Sequence, residues 1–414
     1  MTLRNLPTLN PAVTLSPSGL GPVLSGTGCK LKLLLDARDN RNQTNHLPSS
    51  GAGPWGTVIH NVLELARTSD GGRFSDPSWV WRSAGEEFDS EIADMNANCS
   101  GKLLEDHLEP IENIRRDFYE DREKLIARAE RERANFLALS GTSSSSVGNP
   151  PLLGAEVRVG DDFSGSSKIY GLIDKVEINP LGGVQIVDYK TGKIVDDVGN
   201  VLDKHRTQML LYAGLWEMRT TSEGRRMRGY PTAAFLESPL ISGSEVTVSL
   251  DSSESNRLIA LALTEHANIE AARVAAIASG TPSDIFQLAT PSLENCRYCS
   301  ARPACESYID FLEQKMIDID TEIFDVVGEL VRVDYLDFSP KCKVIIRDSG
   351  PEPKEWAIHD ILWKQLRNQE VQQMITVGNG VKVGVFGCRF ELISGDVINF
   401  NANRSEHIAI IDNT

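Results

Sequence analysis

The chain has 414 residues, a formal net charge of −16 and 41% hydrophobic residues. Such a length accommodates two or three domains, and the sequence holds no apolar run long enough to span a bilayer as a helix. The acidic balance excludes tight non-specific binding to nucleic acid through bulk charge, because that binding depends on neutralising phosphates.

At the N-terminus, residues 1–16 lack a basic start followed by a hydrophobic block, so no secretory leader is expected and the predicted setting is cytoplasmic. The segment LSPSGLGPVLSGTGCKLKLLL then introduces Cys29. GTVIHNVLELA reads as a helix carrying His60, and a lone helical histidine is ordinarily structural. Residues 103–139 place Leu108, Ile111, Phe118, Leu125, Ala129 and Phe136 among dense mixed charge. That spacing predicts an amphipathic helix or pair of helices, inserted before a strand at Glu156. The arginines at 115–116 and from Arg122 to Arg133 are interleaved with Glu and Asp, the pattern of a solvated helix face rather than of a nucleic-acid path. Residues 140–151, SGTSSSSVGNPP, read as a loop.

The densest signal is GLIDKVEINPLGGVQIVDYKTG at 171–192. Alternation predicts strands over 169–178 and 184–190, and Asn179-Pro180-Leu181-Gly182-Gly183 supplies the reversal between them. Asp188 and Lys190 then share a face with Val184 and Ile186, while Asp174 lies between Leu172 and Val176 on the partner strand. Charges on largely apolar faces must be paired with each other or with a metal. A salt bridge from Lys190 to Asp174 or Asp188 satisfies that need, and so does a divalent cation held by hard oxygen ligands. Further on, Gln208 and Tyr212 in HRTQMLLYAGL are four apart on a predicted helix and share one face.

There are seven cysteines, at 29, 99, 296, 299, 305, 342 and 388, an odd and uneven set that makes a poor disulfide framework. Three of them, Cys296-x-x-Cys299 and Cys305, have the spacing of metal ligands. A fourth ligand for zinc or a cubane cluster is open among Cys29, Cys99, Cys342, Cys388 or a histidine. Beyond a helix that ends near 315, strands are predicted over 323–338, 341–348 and 354–358, a helix over 360–375, and strands over 381–392 and 397–411. Five strands with a helix between the third and fourth is the order of an OB-like barrel. Trp356, Trp363, Phe386, Phe390 and Phe400 are its candidate base-stacking or core aromatics.

GxxDxxE, a turn and a hydrophobic run ending in DYKTG resemble the signature of the PD-(D/E)XK nucleases, in particular their RecB-like branch. The resemblance implies an α/β, restriction-endonuclease-like core, with a mixed sheet flanked by helices. It assigns Asp174 and Asp188 to a bound Mg²⁺ or Mn²⁺ and makes Lys190 catalytic. Gln208 and Tyr212 match the QxxxY motif that positions substrate, His60 matches the metal-binding histidine of the first motif, and Glu156 falls where the family often has an acid at the edge of the site. One cysteine before the core and CxxCx₅C after it resemble the AddB-type and CRISPR-associated iron–sulfur exonucleases. That likeness implies a 4Fe–4S cluster held by Cys29, Cys296, Cys299 and Cys305, with zinc as the alternative, and with Lys30 standing where these families have proline.

The implied organisation is a nuclease domain over 1–319, with its helical insert at 61–150 and closed by the cluster, followed by an OB-like domain over 320–414. The implied activity is metal-dependent hydrolysis of DNA, on single strands or ends, in repair or anti-phage defence. A non-catalytic nucleic-acid-binding or assembly subunit on the same scaffold is the other expectation. The sequence holds no GxxxxGK(S/T) phosphate loop, so any unwinding would fall to a separate helicase, ATPase or defence-system subunit.

Overall fold

The computed structural model describes residues 12–36, 52–67, 84–99, 110–114, 117–142, 154–161, 167–179, 181–222, 229–241, 243–296, 299, 301–314, 325–335, 341–349, 353, 355–362, 381–392 and 398–412. Among them a mixed five-stranded sheet lies between helical layers, and a second five-stranded sheet follows it in the chain.

Helix α1 (Pro17–Leu24) begins where the extended Ser16 accepts a hydrogen bond from the Gly19 amide at 3.2 Å. Pro17 occupies its first turn, where a missing N–H is harmless. Helix α2 (Lys30–Asp36) follows and buries Leu31, Leu33, Leu34 and Leu35. Helices α3 (Ala52–Ala66), α4 (Ala84–Cys99), α5 (Ile111–Ile114) and α6 (Phe118–Thr142) form one layer. In it Trp55, Phe88 and Phe118 meet edge to face or tilted, with centroids 5.6–5.7 Å apart. Ile111, Phe118, Leu125 and Ala129 are buried at the spacing the sequence predicts. Leu108 lies outside the described residues, as does the side chain of Phe136. One correction concerns the segment expected to be a loop from 140: its first residues continue α6 as far as Thr142.

Strands β1 (Gly154–Gly160), β2 (Tyr170–Ile178) and β3 (Val184–Tyr189) run antiparallel in sequence order. The chain then crosses through α7 (Asp203–Ser222) to β4 (Ala233–Glu237), which pairs parallel to β3. Parallel neighbours need such a crossover to bring the chain back to the same end. Strand β5 (Val246–Val248) completes the sheet antiparallel to β4. Residues Met209 to Trp216 of α7 are buried without interruption, because that helix is wedged among the sheet, α1 and α8 (Ser252–Ser279). A helix that is apolar on every side belongs to a core. Helix α8 is capped by Asp251, which accepts the Glu254 N–H at 2.7 Å, and it ends at Gly280 in the left-handed region at φ 64°.

After a 3₁₀ turn (Pro282–Leu288), α9 (Leu293–Cys296), a second 3₁₀ turn (Arg302–Ala304) and α10 (Glu306–Gln314) carry the chain to the second sheet. Its strands are β6 (Asp325–Tyr335), β7 (Lys341–Arg347), β8 (Glu355–Leu362), β9 (Lys382–Leu392) and β10 (Ile398–Asp412). They pair in the order β10-β8-β7-β6-β9, with β9 also joined to β10, and the β8–β10 contact is parallel. The helix expected from 360 does not begin there, since Asp360 and its two successors extend β8 to Leu362, and 363–380 lies outside the described residues. Trp356 is buried, and Phe386 is buried against Cys296 and Tyr308 of the preceding segment, which removes both from the candidate base-stacking surface. Trp363 and the side chains of Phe390 and Phe400 are outside the described residues.

A buried clamp ties the cysteine segment to the second sheet. Asp325, at the start of β6, accepts hydrogen bonds from Arg302 Nε at 2.7 Å and from Tyr308 Oη at 2.7 Å, and the Arg302 guanidinium lies over the Phe386 ring. No helix among the described residues is long and apolar enough to cross a membrane.

Candidate active site

The hairpin of β2 and β3 presents its charges as the alternation predicts, and neighbouring elements complete them. Asp174 on β2 is held from two sides: its Oδ1 lies 3.1 Å from His60 Nδ1 on α3, and its Oδ2 accepts the Tyr189 backbone N–H at 2.6 Å. Asp188 on β3 is buried, and its Oδ1 accepts from Gln208 Nε2 at 2.9 Å. The other end of the same amide, Gln208 Oε1, accepts from Lys190 Nζ at 2.9 Å. One glutamine on α7 therefore bridges the acid and the base. Lys190 Nζ also lies 2.6 Å from Asp188 Oδ2, but without the alignment of a hydrogen bond, so that buried oxygen has charge opposite it and no directed donor.

Tyr212, one helical turn after Gln208, is buried against Gly171. A Cβ at position 171 would come within 2.8 Å of the Tyr212 ring and 2.7 Å of Pro17, which is why the second residue of β2 is glycine. Burial holds the Tyr212 phenol well above its ordinary range, the Asp188 and Asp174 charges add to that, and a hydrogen bond with Gln208 works the other way. Burial also pushes the Asp188 carboxyl up, with Lys190 opposing and Asp174 reinforcing. For His60 burial acts downward, yet the charge and hydrogen bond of Asp174, helped by Asp188, outweigh it and leave the imidazole above its usual value.

Among the sequence-predicted residues, His60, Asp174, Asp188, Lys190, Gln208 and Tyr212 thus converge. Glu156 falls on β1, where the register of Ala155 with Lys175 and Val157 with Ile173 sets position 156 across from Asp174; its side chain lies outside the described residues. No group of three His, Cys, Asp or Glu among the described residues is gathered tightly enough to hold a metal as it stands. The chemistry of the donors nevertheless suits a divalent cation: two carboxylates and an imidazole, one carboxylate oxygen being buried without a directed donor.

The cysteines come together from distant parts of the chain. Cys29 lies at the start of α2, and Thr290 Oγ1 donates to the Gly28 carbonyl at 3.1 Å, which ties that start to the approach of α9. Backbone hydrogen bonds then run from Cys299 N to Cys296 O, from Arg302 N to Cys299 O and from Cys305 N to Arg302 O, winding the three downstream cysteines into successive turns. All four are free thiols. Cys29, Cys296 and Cys299 each act electrostatically on Cys305, so the four share one neighbourhood. Burial pushes the Cys296 and Cys305 thiols up to about 12. Soft thiol donors are the ligand class of a thiolate-binding metal or cluster, and among the described residues no three of them are gathered tightly enough to hold one as they stand. The side chains of Cys99, Cys342 and Cys388 are not among those described.

The sequence reading missed a second charged group behind the hairpin. Arg128 and Glu132, expected on a solvated face of α6, instead turn inward, Glu132 buried and paired with Arg67, and Arg128 half-buried and paired with Glu237 of β4. Their i, i+4 spacing is common to surface and buried pairs, so the pattern alone did not separate the two.

A solved structure described as the crystal structure of SSO0001 is similar to this chain at 19% identity, covering 47% of this chain and 80% of that one with a TM-score of 0.22, which is too low to bear on the fold. No protein in the comparison with curated sequences matches significantly. The family model of the PD-(D/E)XK nuclease superfamily matches residues 15–306, a span that holds the whole hairpin, His60, α7 and all four clustered cysteines. The chain belongs to the PD-(D/E)XK nuclease superfamily.

Proposed function

We propose that this chain is a metal-dependent deoxyribonuclease of the RecB-like, iron–sulfur branch, acting on single-stranded DNA or DNA ends. The observation that carries the reading is the bridged set His60–Asp174 and Asp188–Gln208–Lys190, which places two carboxylates, an imidazole and an ammonium group at one point of the sheet. His60, Asp174 and Asp188 are the residues that would hold Mg²⁺ or Mn²⁺. A divalent ion there supplies acidification of the attacking water and neutralisation of phosphate charge. Lys190 faces the same point and donates to a non-bridging phosphate oxygen as negative charge builds on it. Gln208 fixes the directions of both Asp188 and Lys190, so their charges need no reorganisation during the reaction. Hydrolysis adds water across a phosphodiester: a new P–O bond forms, the P–O bond to the leaving sugar oxygen breaks, and that oxygen takes up a proton.

The convergence of Cys29 with Cys296, Cys299 and Cys305 supports the iron–sulfur assignment, with zinc as the competing occupant. Four thiolates suit either. The cyclic strand order of the C-terminal sheet, with β8 and β10 parallel, supports an OB-like domain from about 320 onward, whose role is to contact a nucleic-acid strand or a partner protein. Unwinding, where required, falls to a separate helicase, ATPase or defence-system subunit.

The decisive measurement is product release from labelled single- and double-stranded DNA, and from RNA, with Mn²⁺, comparing wild type with Lys190→Ala. Cleavage by the wild type that the variant loses supports the assignment. Equal inertness of both on every substrate leaves the non-catalytic scaffold. Absorbance and metal analysis of anaerobically purified protein distinguish iron–sulfur from zinc.

A further inference from the structure

Behind the hairpin lies a partly buried ionic cluster with three positive and three negative side chains: Arg67, Arg128 and Lys175 against Glu132, Glu177 and Glu237. Arg67 is joined to Glu132 and lies 3.4 Å from Glu177, Lys175 lies 2.7 Å from Glu177 and 4.0 Å from Glu132, and Arg128 reaches Glu132 at 2.6 Å while also pairing with Glu237. Arg67 and Glu132 are almost completely enclosed, with side-chain exposures of 4% and 7%. The Tyr189 phenol is buried among these groups, acted on by Arg67, Glu132, Glu237 and Arg128, and its hydroxyl has no hydrogen-bond partner among the described residues.

Every element that feeds this cluster, with one exception, also feeds the candidate active site. Arg67 immediately follows α3, two helical turns beyond His60. Lys175 adjoins Asp174 on β2. Tyr189 lies between Asp188 and Lys190, gives its backbone N–H to Asp174, and turns its ring edge toward His60 with centroids 6.1 Å apart. The carbonyl of Glu237 on β4 accepts the Lys190 N–H at 2.9 Å. The exception is α6, which contributes Arg128 and Glu132 and none of the active-site residues.

The geometry points to Arg128 and Glu132 of α6 as positioning residues, which lock α3, β2 and β4 at the spacing that lets His60, Asp174 and Asp188 take up a divalent cation. The inference rests on the nuclease reading above. Buried ion clusters are a weak source of stability, because desolvation offsets most of their attraction, and fixing register is their better-attested use. Here the cluster is electrically balanced and joins α3, β2, β4 and α6, so it resists relative sliding of those elements. Outer groups that orient ligands typically matter by about ten- to a hundredfold in metal affinity.

The test is a Mn²⁺ titration of the full chain, followed by electron paramagnetic resonance, alongside steady-state cleavage of single-stranded DNA. The proteins are wild type, Arg128→Met, Glu132→Gln and Arg122→Met. Arg122 is on the same helix but pairs with Asp89 and Glu123, away from the cluster, and serves as the control. The expected result is Mn²⁺ affinity weakened by about tenfold in the first two variants, with kcat falling more than KM rises, and Arg122→Met matching wild type. If Arg128→Met does not fold, Glu132→Gln decides, since it keeps the side chain's shape. Wild-type Mn²⁺ affinity, within twofold, in folded Glu132→Gln would overturn the inference while leaving the nuclease reading intact. A wild type that neither binds Mn²⁺ nor cleaves would overturn both.

Discussion

The Asp174–Lys190 hairpin and the cysteine knot are both enclosed clusters of reactive side chains, but they are assembled in opposite ways. The hairpin takes most of its groups from one short stretch of chain and pairs each with a complementary neighbour: Asp174 with His60 and the Tyr189 amide, Asp188 and Lys190 with the two ends of the Gln208 amide. The cysteine cluster brings Cys29 to a segment at the far end of the core, and burial raises the pKa values of Cys296, Cys299 and Cys305, with Lys32 opposing it only at Cys299. Hydrogen bonds and ion pairs between complementary side chains hold the first in shape, whereas the second brings soft donors together across a long loop, where the proposed cluster would join them. Chemistry is concentrated in the one and topology in the other, so perturbing them should give opposite profiles.

The largest effect on stability should come from the knot. If the proposed cluster joins Cys29 to the downstream cysteines, Cys296→Ala removes one of its ligands, and chain-entropy arithmetic for so long a loop gives on the order of 5 kcal/mol. Metal content and melting temperature should fall together in that variant. Unchanged melting after loss of the metal would show that the knot is not a staple. The hairpin should behave in reverse: Lys190→Ala should lower kcat by about a thousandfold, the scale of removing one charge-stabilising donor, while its melting curve stays close to wild type. A variant that melts much earlier would mean that Lys190 serves the fold through its Asp188 contact and would erase the contrast.

Much of the hairpin was legible because a two-residue period fixes which side chains share a face, and that period survives in β2 and β3. The same holds for Gln208 and Tyr212, whose spacing is one helical turn. The C-terminal strands are legible in number and order, but β8 runs past its expected end, because Asp360, a residue type common at helix starts, instead continues the ladder to Leu362. Arg128 and Glu132 show where sequence reasoning stops. Their spacing on α6 is the same for a surface pair and a buried one, and the difference lies in Arg67 and Glu237, distant in sequence, which close over them. The Arg302–Asp325 clamp was hidden for the same reason: each residue looks ordinary until Tyr308 and Phe386 enclose the pair.

That clamp allows the comparison to be sharpened, since Arg302 sits inside the cysteine segment and donates to the Cys299 carbonyl at 3.1 Å as well as to Asp325. Asp325→Ala leaves a buried guanidinium without its carboxylate, a change that typically costs about 3–5 kcal/mol. The loss should fall on the contact between the cysteine segment and the second sheet, so calorimetry should resolve an earlier transition for the C-terminal sheet while DNA cleavage below that transition persists. A single transition shifted as a whole would instead mean that knot and C-terminal sheet melt as one unit with the hairpin. A gentler change is Gly171→Ala, whose new methyl must displace the Tyr212 ring or Pro17. Overpacking of this kind costs about 1–3 kcal/mol, and the effect should appear in melting temperature and in kcat together, because Tyr212 packs beside Gln208.

The smallest effect concerns pH and separates the hairpin's surroundings from the knot's. His205, near the start of α7, places Nε2 3.1 Å from the Lys193 carbonyl, and burial, with the Lys190 and Lys204 charges, lowers its pKa from 6.5 to about 4. Because the folded value lies below the unfolded one, protonation favours the unfolded chain. This contribution is fully present above the unfolded value and is lost progressively as pH falls from about 6.5 toward 4. Wild type should therefore lose more of its melting temperature between pH 7 and pH 5 than His205→Gln, which has no proton to gain, by a margin that solvent screening of this partly exposed ring keeps small. Equal losses in the two proteins would mean that His205 takes up its proton in the folded chain as readily as in water, and that Lys190 is better screened from α7 than the short Gln208 and Asp188 contacts imply.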